Sequence, residues 1–388
     1  MWFFNSPEIV YGAGALSYLE ELEGRRAFIV TDPTIARLGF PEQVQLRLEK
    51  AGIESTVFAE VEPEPSLETV RRGAQAMAAF APDWIIGLGG GSSMDAAKAM
   101  WILYERPDIA PDAISPLERL GLRKKARLIC IPTTAGTGSE VTWAIVLTDR
   151  AEGRKLGLGT REVVPDLAIV DPEFTMHLPR DITAATGMDV LTHAVEGFSS
   201  TWANDFTDGL CLQATRMVFE YLPRATARGA EDLEAREKMA NAAAIAGLGF
   251  GNSMAALAHA MGHSAGALFH IHHGRVVGLF LPYTIEYTAN GDVGRYRDLA
   301  RVLDLPAADE CTAAMSLARA VRDLARRLGE PLSLQEAGVS QQVFEDNLDR
   351  LCDFAEADPT IVTARRVPTR DELARLFQYA YRGQPVDF

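Results

Sequence analysis

The sequence predicts an α/β first half, built on a mostly parallel sheet covered on both faces, followed by an all-α second half. Three observations carry this. Up to about residue 180, short apolar runs closed by Gly, Pro or Asp alternate with amphipathic segments, the pattern of buried strands and covering helices. Beyond it the strand signal fades into long Ala-, Leu- and Met-rich stretches. The 388 residues, 47% hydrophobic and 23% charged, can bury cores for two domains, placed at 1–180 and 181–388.

In chain order, the strand runs are RAFIVTD (26–32), STVFAEV (55–61), DWIIGLGG (83–90), RLICIP (127–132), WAIVLTD (143–149) and LAIVD (167–171). Ser66 stands as an N-cap before Leu67, Val70, Ala74, Met77 and Ala78, which recur at helical spacing. Strand, helix, strand alternation is the signature of parallel pairing with crossover helices. The stretches 206–222, 233–268, 308–328 and 370–382 read as helices.

Composition narrows the function classes. A net charge of −15 with no basic stripe argues against a nucleic-acid partner. The apolar runs are too short or interrupted to span a bilayer, and no export signal is read at the start, so a cytoplasmic protein without membrane partners is expected. Cys130, Cys211, Cys311 and Cys352 are scattered and form no CxxC pair, which leaves a disulfide framework or thiolate zinc site without support.

Two loops suit a nucleotide. GLGGGSSMDAAKAM (87–100) runs from a strand into a helix, and Gly89, Gly90 and Gly91 let the backbone approach a diphosphate at the helix N-terminus. PTTAGTGSEVT (132–142) also follows an apolar strand and concentrates hydroxyls and glycines. Loops at the carboxyl ends of neighbouring strands are where open α/β sheets bind ligands. Asp32, ending its strand, reads either as an acceptor for a ribose 2′-hydroxyl or as a cap for a helix beginning at Pro33.

Five of the seven histidines fall within residues 259–273, in HAMGHSAGALFHIHH. Asp189 and His193, in TGMDVLTHAVEG, are one helical turn apart; His259 and His263 repeat that spacing in a segment otherwise made of small and apolar residues. Spacing alone proposes all four as an N/O metal site, open to Fe(II), Zn(II), Mn(II) or Co(II).

The motifs GGGSSMDAAKAM, PTTAGTGSEVT, TAATGMDVLTHAVEG and LAHAMGHSAGALFHIHHG, in this order and over nearly the whole chain, resemble the iron-containing (group III) alcohol dehydrogenase family. The resemblance implies a Rossmann-like nucleotide domain, a helical metal-binding domain and a divalent metal in the cleft between them. It places the metal on Asp189, His193, His259 and His273, and moves His263 to the chemistry, positioning reactants or relaying a proton. The family's cofactor contacts fall on Asp32, Gly91, Ser92, Asp95, Thr133, Thr134, Thr137, Val146 and Lys155. Two departures stand out. Glu64 replaces an Asn that commonly touches the nucleotide, and His272 replaces a Pro before the last ligand, making it a rival to His273.

The implied activity is hydride transfer between a small primary or secondary alcohol and NAD(H), with NAD expected over NADP and Fe(II) over Zn(II). Ala144 and Phe250 are candidate pocket walls, and a homodimer or larger homo-oligomer is the default assembly. Three rival activities compete with this one. A dehydroquinate-synthase-like lyase needs a cationic pocket, and only Arg275 stands near the metal motifs. A hydroxyacid–oxoacid transhydrogenase would show no net NADH turnover with one substrate. A hydrolase of the HExxH kind needs a glutamate that HAMGH lacks.

Overall fold

The computed structural model describes residues 3–151 and 154–388, and the chain divides into two compact units, Met1–His177 and Leu178–Phe388. The strands of the first unit are β1 (Glu8–Tyr11), β2 (Arg26–Val30), β3 (Glu54–Phe58), β4 (Trp84–Gly89), β5 (Arg127–Pro132), β6 (Ala144–Asp149), β7 (Arg154–Gly159) and β8 (Leu167–Val170). Six of them form one parallel sheet in the order β1-β8-β5-β4-β2-β3. Alternate residues feed opposite faces. Ala27 and Ile29 join a core with Leu19, Val44 and Leu48, while Phe28 and Val30 join another with Val70, Met77 and Met100.

The helices of this unit are α1 (Pro33–Arg37), α2 (Phe40–Lys50), α3 (Leu67–Phe80) and α4 (Gly91–Glu105). Ser66 caps α3 by accepting the Thr69 N–H at 3.2 Å. Two strands escaped the sequence reading: β1, a four-residue edge strand, and β7, a Gly-interrupted run. The run at 143–149 also behaves differently from its neighbours, because β6 leaves the sheet and pairs with β7 as an antiparallel hairpin. Only four residues separate the two strands, far too few for the crossover a parallel pair needs.

The second unit is helical: α5 (Arg180–Ser199), α6 (Asp205–Arg228), α7 (Leu233–Gly251), α8 (Leu257–Phe269), α9 (His273–Asn290), α10 (Arg297–Val302), α11 (Glu310–Leu328), α12 (Gln341–Ala357) and α13 (Arg370–Arg382). The stretch 233–268 is therefore two helices. Met254 takes a left-handed φ of 73° between them, and the N–H groups of Ala256 and Ala258 donate to the Glu196 carboxylate of α5 instead of continuing α7. Helices α5, α8 and α9 approach closely at small residues. A Cβ on Gly274 would lie 2.3 Å from the Ala185 carbonyl oxygen, so only glycine fits where α9 starts against α5. Among the described residues no helix is long and apolar enough to cross a membrane.

Candidate functional site

Within the second unit, three helices deliver four side chains to one point. Asp189 and His193 come from α5, His259 from α8 and His273 from the first position of α9. Their ligand-type atoms all lie within 4.8 Å of one another. Asp189 Oδ1 is the hub, 3.8 Å from His193 Nδ1, 3.8 Å from His259 Nε2 and 3.5 Å from His273 Nε2. These separations would suit an N/O donor set that shares one divalent cation.

The chemistry of the donors fits a cation. Asp189 Oδ1 and His259 Nε2 are buried and make no hydrogen bond among the described residues. Stranding such groups costs about 1–3 kcal/mol each, more for a charged one. Burial opposes the Asp189 charge, but the facing imidazoles of His193, His273 and His259 outweigh it and hold the carboxyl well below its usual range. At His259 burial again opposes the charged form, and the Asp189 and Glu196 carboxylates overcome it, raising the imidazole to about 9. Burial pushes His273 well below the ordinary histidine value, toward the neutral form that can donate a lone pair.

Supporting residues orient these rings. His259 Nδ1 pairs with Glu196 Oε2 at 2.6 Å, which turns Nε2 toward the donor group, where a cation would take the place of its proton. Phe250 of α7 stacks on His193 with ring centroids 3.9 Å apart and planes 7° from parallel. His263 is outside the four-residue group, donating from Nδ1 to Asp358 Oδ2 at 2.7 Å and stacking on His273 at 5.2 Å. Against the upward push of burial, His263 and Thr360 hold the Asp358 carboxyl at about 2. His270 ends α8 with a left-handed φ of 55°, and His272 precedes α9; both are exposed and outside the group. The set proposed by spacing alone, with His263 as a ligand, is thus not the set these helices assemble.

The first unit holds the two loops. Gly89 has φ 150°, and a Cβ there would sit 2.5 Å from Ser93 Oγ, so the turn from β4 into α4 demands glycine. Helix α4 starts without a side-chain cap, leaving its first N–H groups available to an anion. Thr137 and Thr134 stand over this end, 3.0 Å and 3.6 Å from where Cβ atoms on Gly91 and Gly90 would be. Thr133 is buried, its hydroxyl without a partner among the described residues. Asp32 fills the capping role read from the sequence. Its Oδ1 caps α1 by accepting the Thr34 and Ile35 N–H groups, and its Oδ2 accepts from Ser93 Oγ at 3.4 Å, beside the cradle.

Asp95 and Val146 are brought together in an unexpected way. Asp95 accepts from Ser139 Oγ at 2.7 Å and from the Val146 N–H at 2.9 Å, so the two satisfy each other. Lys98, fully buried, donates to Ser139 Oγ and the Ala144 carbonyl. This network ties the β6–β7 hairpin and the 137–142 loop to α4. Lys155 pairs with Glu64 at 2.6 Å, while the Glu64 N–H donates to Ser92 Oγ at 3.3 Å. Sequence reading missed Glu196, Asp358, Lys98 and Ser139 as partners. Glu196, buried one turn after His193, carried a weak signal; Asp358, ninety-five residues from His263, carried none.

Comparison with known proteins gives the family. Residues 6–172 match the family described as "Iron-containing alcohol dehydrogenase", and residues 183–381 match "Fe-containing alcohol dehydrogenase family, C-terminal". The "NADPH-dependent butanol dehydrogenase" of Clostridium saccharobutylicum is 39% identical over 391 residues, covering 100% of both chains. The "Aldehyde-alcohol dehydrogenase" of Streptococcus pneumoniae serotype 4 is 37% identical over 98% of this chain, which spans 46% of that longer relative. A crystal structure of "1,3-propanediol oxidoreductase" superposes with a TM-score of 0.89 at 31% identity, covering 98% of this chain and 100% of the other. The chain belongs to the iron-containing alcohol dehydrogenase family, and its activity is alcohol–aldehyde oxidoreduction.

Proposed function

We propose that the protein transfers hydride reversibly between a small primary or secondary alcohol and NAD(H), with Asp189, His193, His259 and His273 holding a divalent cation, Fe(II) foremost and Zn(II) as the alternative. The observation that carries this is the four-residue convergence in which Asp189 Oδ1 and His259 Nε2 are buried with no hydrogen bond among the described residues. When bound, the cation supplies Lewis acidity toward the substrate oxygen. The chain's own residues do the rest. Three neutral imidazoles and one carboxylate leave such a cation with a net positive charge, and Phe250 covers one ring of the site. His263, its Nδ1 proton held by Asp358, keeps Nε2 as an acceptor for positioning reactants or relaying a proton.

In the first unit, the open end of α4 suits a diphosphate, with Gly91, Ser92, Thr133, Thr134 and Thr137 around it; this unit is the proposed dinucleotide-binding domain and the second the metal-binding and catalytic one. Asp32 beside the cradle would repel a 2′-phosphate, which supports NAD even though the butanol dehydrogenase relative is named for NADPH. Asp95 and Val146 act by shaping the cradle, since their polar groups bond each other. A homodimer or larger assembly is proposed from the open edge of β1 and the exposed Tyr11 upon it. A reducing cytoplasm, where Fe(II) persists, is the proposed setting.

The test is metal analysis of the purified protein, followed by NADH and NADPH oxidation across short aldehydes and ketones with Fe, Zn, Mn and Co. NADH oxidation with several carbonyl compounds is expected. Failure of all of them with every metal would remove the reading. Asp32→Gly should raise kcat/KM with NADPH at least tenfold relative to NADH.

A further inference from the structure

We propose that two buried carboxylates, Glu196 and Asp358, sort the two imidazoles of the HAMGH turn, Glu196 committing His259 to the cation and Asp358 holding His263 out of its ligand set. This rests on the metal reading above. His259 and His263 lie one turn apart on α8 with ring centroids 5.8 Å apart, so helix geometry offers both to the same region.

What differs is the anchor on Nδ1. Glu196 Oε2 receives the His259 Nδ1 proton at 2.6 Å, and Asp358 Oδ2 receives that of His263 at 2.7 Å. Carboxylates accept, so each ring commits its Nδ1 proton and presents Nε2 as the nitrogen that would face a ligand. For His259 that atom falls 3.8 Å from Asp189 Oδ1, inside the donor group. The His263 ring is instead drawn over His273, their planes within 16° of parallel, and contributes no atom to that group.

Neither anchor can follow its ring. Glu196 is fixed by the Ala256 and Ala258 N–H groups at the start of α8. Asp358 Oδ1 accepts the Thr360 N–H at 2.9 Å and the Thr360 hydroxyl at 2.5 Å, capping the turn Pro359–Thr363. Swinging His263 toward Asp189 would strand Asp358 Oδ2, whose side chain is only 12% exposed. The consequence is a site that keeps a coordination position for substrate instead of filling it with a fourth imidazole.

The experiment uses the full-length protein loaded with Co(II), whose visible spectrum reports coordination. Asp358→Ser retains a side-chain cap for Thr360 but is too short to hold His263. It is expected to keep cobalt with affinity within threefold of wild type or tighter, to shift the visible band, and to lower kcat at least tenfold with KM within threefold. Adding His263→Ala to Asp358→Ser should return the wild-type band, and Asp358→Asn, whose amide oxygen still accepts from Nδ1, should never lose it. Glu196→Gln should instead weaken cobalt binding about 10- to 100-fold. A wild-type spectrum and kcat in Asp358→Ser, or loss of cobalt like that of Glu196→Gln, would overturn the sorting while leaving the metal reading standing. Wild-type protein that binds no cobalt would overturn both.

Discussion

At the residue scale, His272 and His273 pose the sharpest contrast, because adjacent imidazoles meet different fates. His273 opens α9 facing Asp189, whereas His272 precedes the helix and is exposed. His273→Ala is expected to cut metal affinity at least a hundredfold by chelator competition, and His272→Ala to change it less than threefold. Spacing could not separate them, since both lie at workable distances along the chain from His259; the family resemblance pointed to His273, which a glycine follows, and left His272 as a rival. That glycine is legible in physical terms, being where α9 touches the Ala185 carbonyl. The partners of the imidazoles were not, because a hydrogen bond between residues far apart leaves no local pattern. Glu140 offers a second residue-scale prediction, in the other unit. Burial pushes its carboxyl up to about 7, against its own backbone N–H and the Lys98 ammonium, with the Cys130 thiol also close. A folded value above the unfolded one means stability is full below about 4.5 and falls as pH rises toward 7, by an amount on the order of 3 kcal/mol at most. Glu140→Gln should remove that decline, so its urea midpoint should gain on wild type between about pH 5 and about pH 8.

At the scale of elements, the glycine-rich turn from β4 into α4 was readable because its chemistry is local: an apolar run, three glycines and a small-residue helix. Strand β1 was not, since four residues at a sheet edge with exposed ends show neither alternation nor a continuous apolar run. The break between α7 and α8 was hidden for another reason. Its sequence is helix-compatible, and what ends the helix is a carboxylate on α5 that captures two N–H groups. Tertiary contact overrides local preference there. The α5–α9 contact gives the element-scale prediction. Gly274→Ala places a methyl 2.3 Å from a backbone oxygen, which no rotamer relieves. It should destabilise the second unit by about 2–4 kcal/mol through overpacking, and lower metal occupancy with it, read as a fall in thermal midpoint and in bound metal.

At the scale of the whole molecule, the α/β-then-helical order was visible from the alternation of strand and helix signals and their loss near residue 180. The units divide the proposed chemistry: one carries the cradle, the other the cation donors. Calorimetry can check that division. Removing metal with a chelator should lower the transition of the second unit, by about 2.7 kcal/mol relative to protein at a metal concentration a hundred times Kd, and Fe(II) or Co(II) should restore it. Adding NADH should raise the transition of the first unit.

The donor group draws on α5, α8 and α9, which leave the ribosome at widely separated moments. No fragment ending before His273 contains the whole set, so the cation can be captured only after synthesis has passed that residue and the three helices have docked. Metal acquisition is therefore a late event in the life of the molecule. Because the N/O donor set would accept several divalent ions, growth in a medium enriched in one of them should change the metal recovered with the protein.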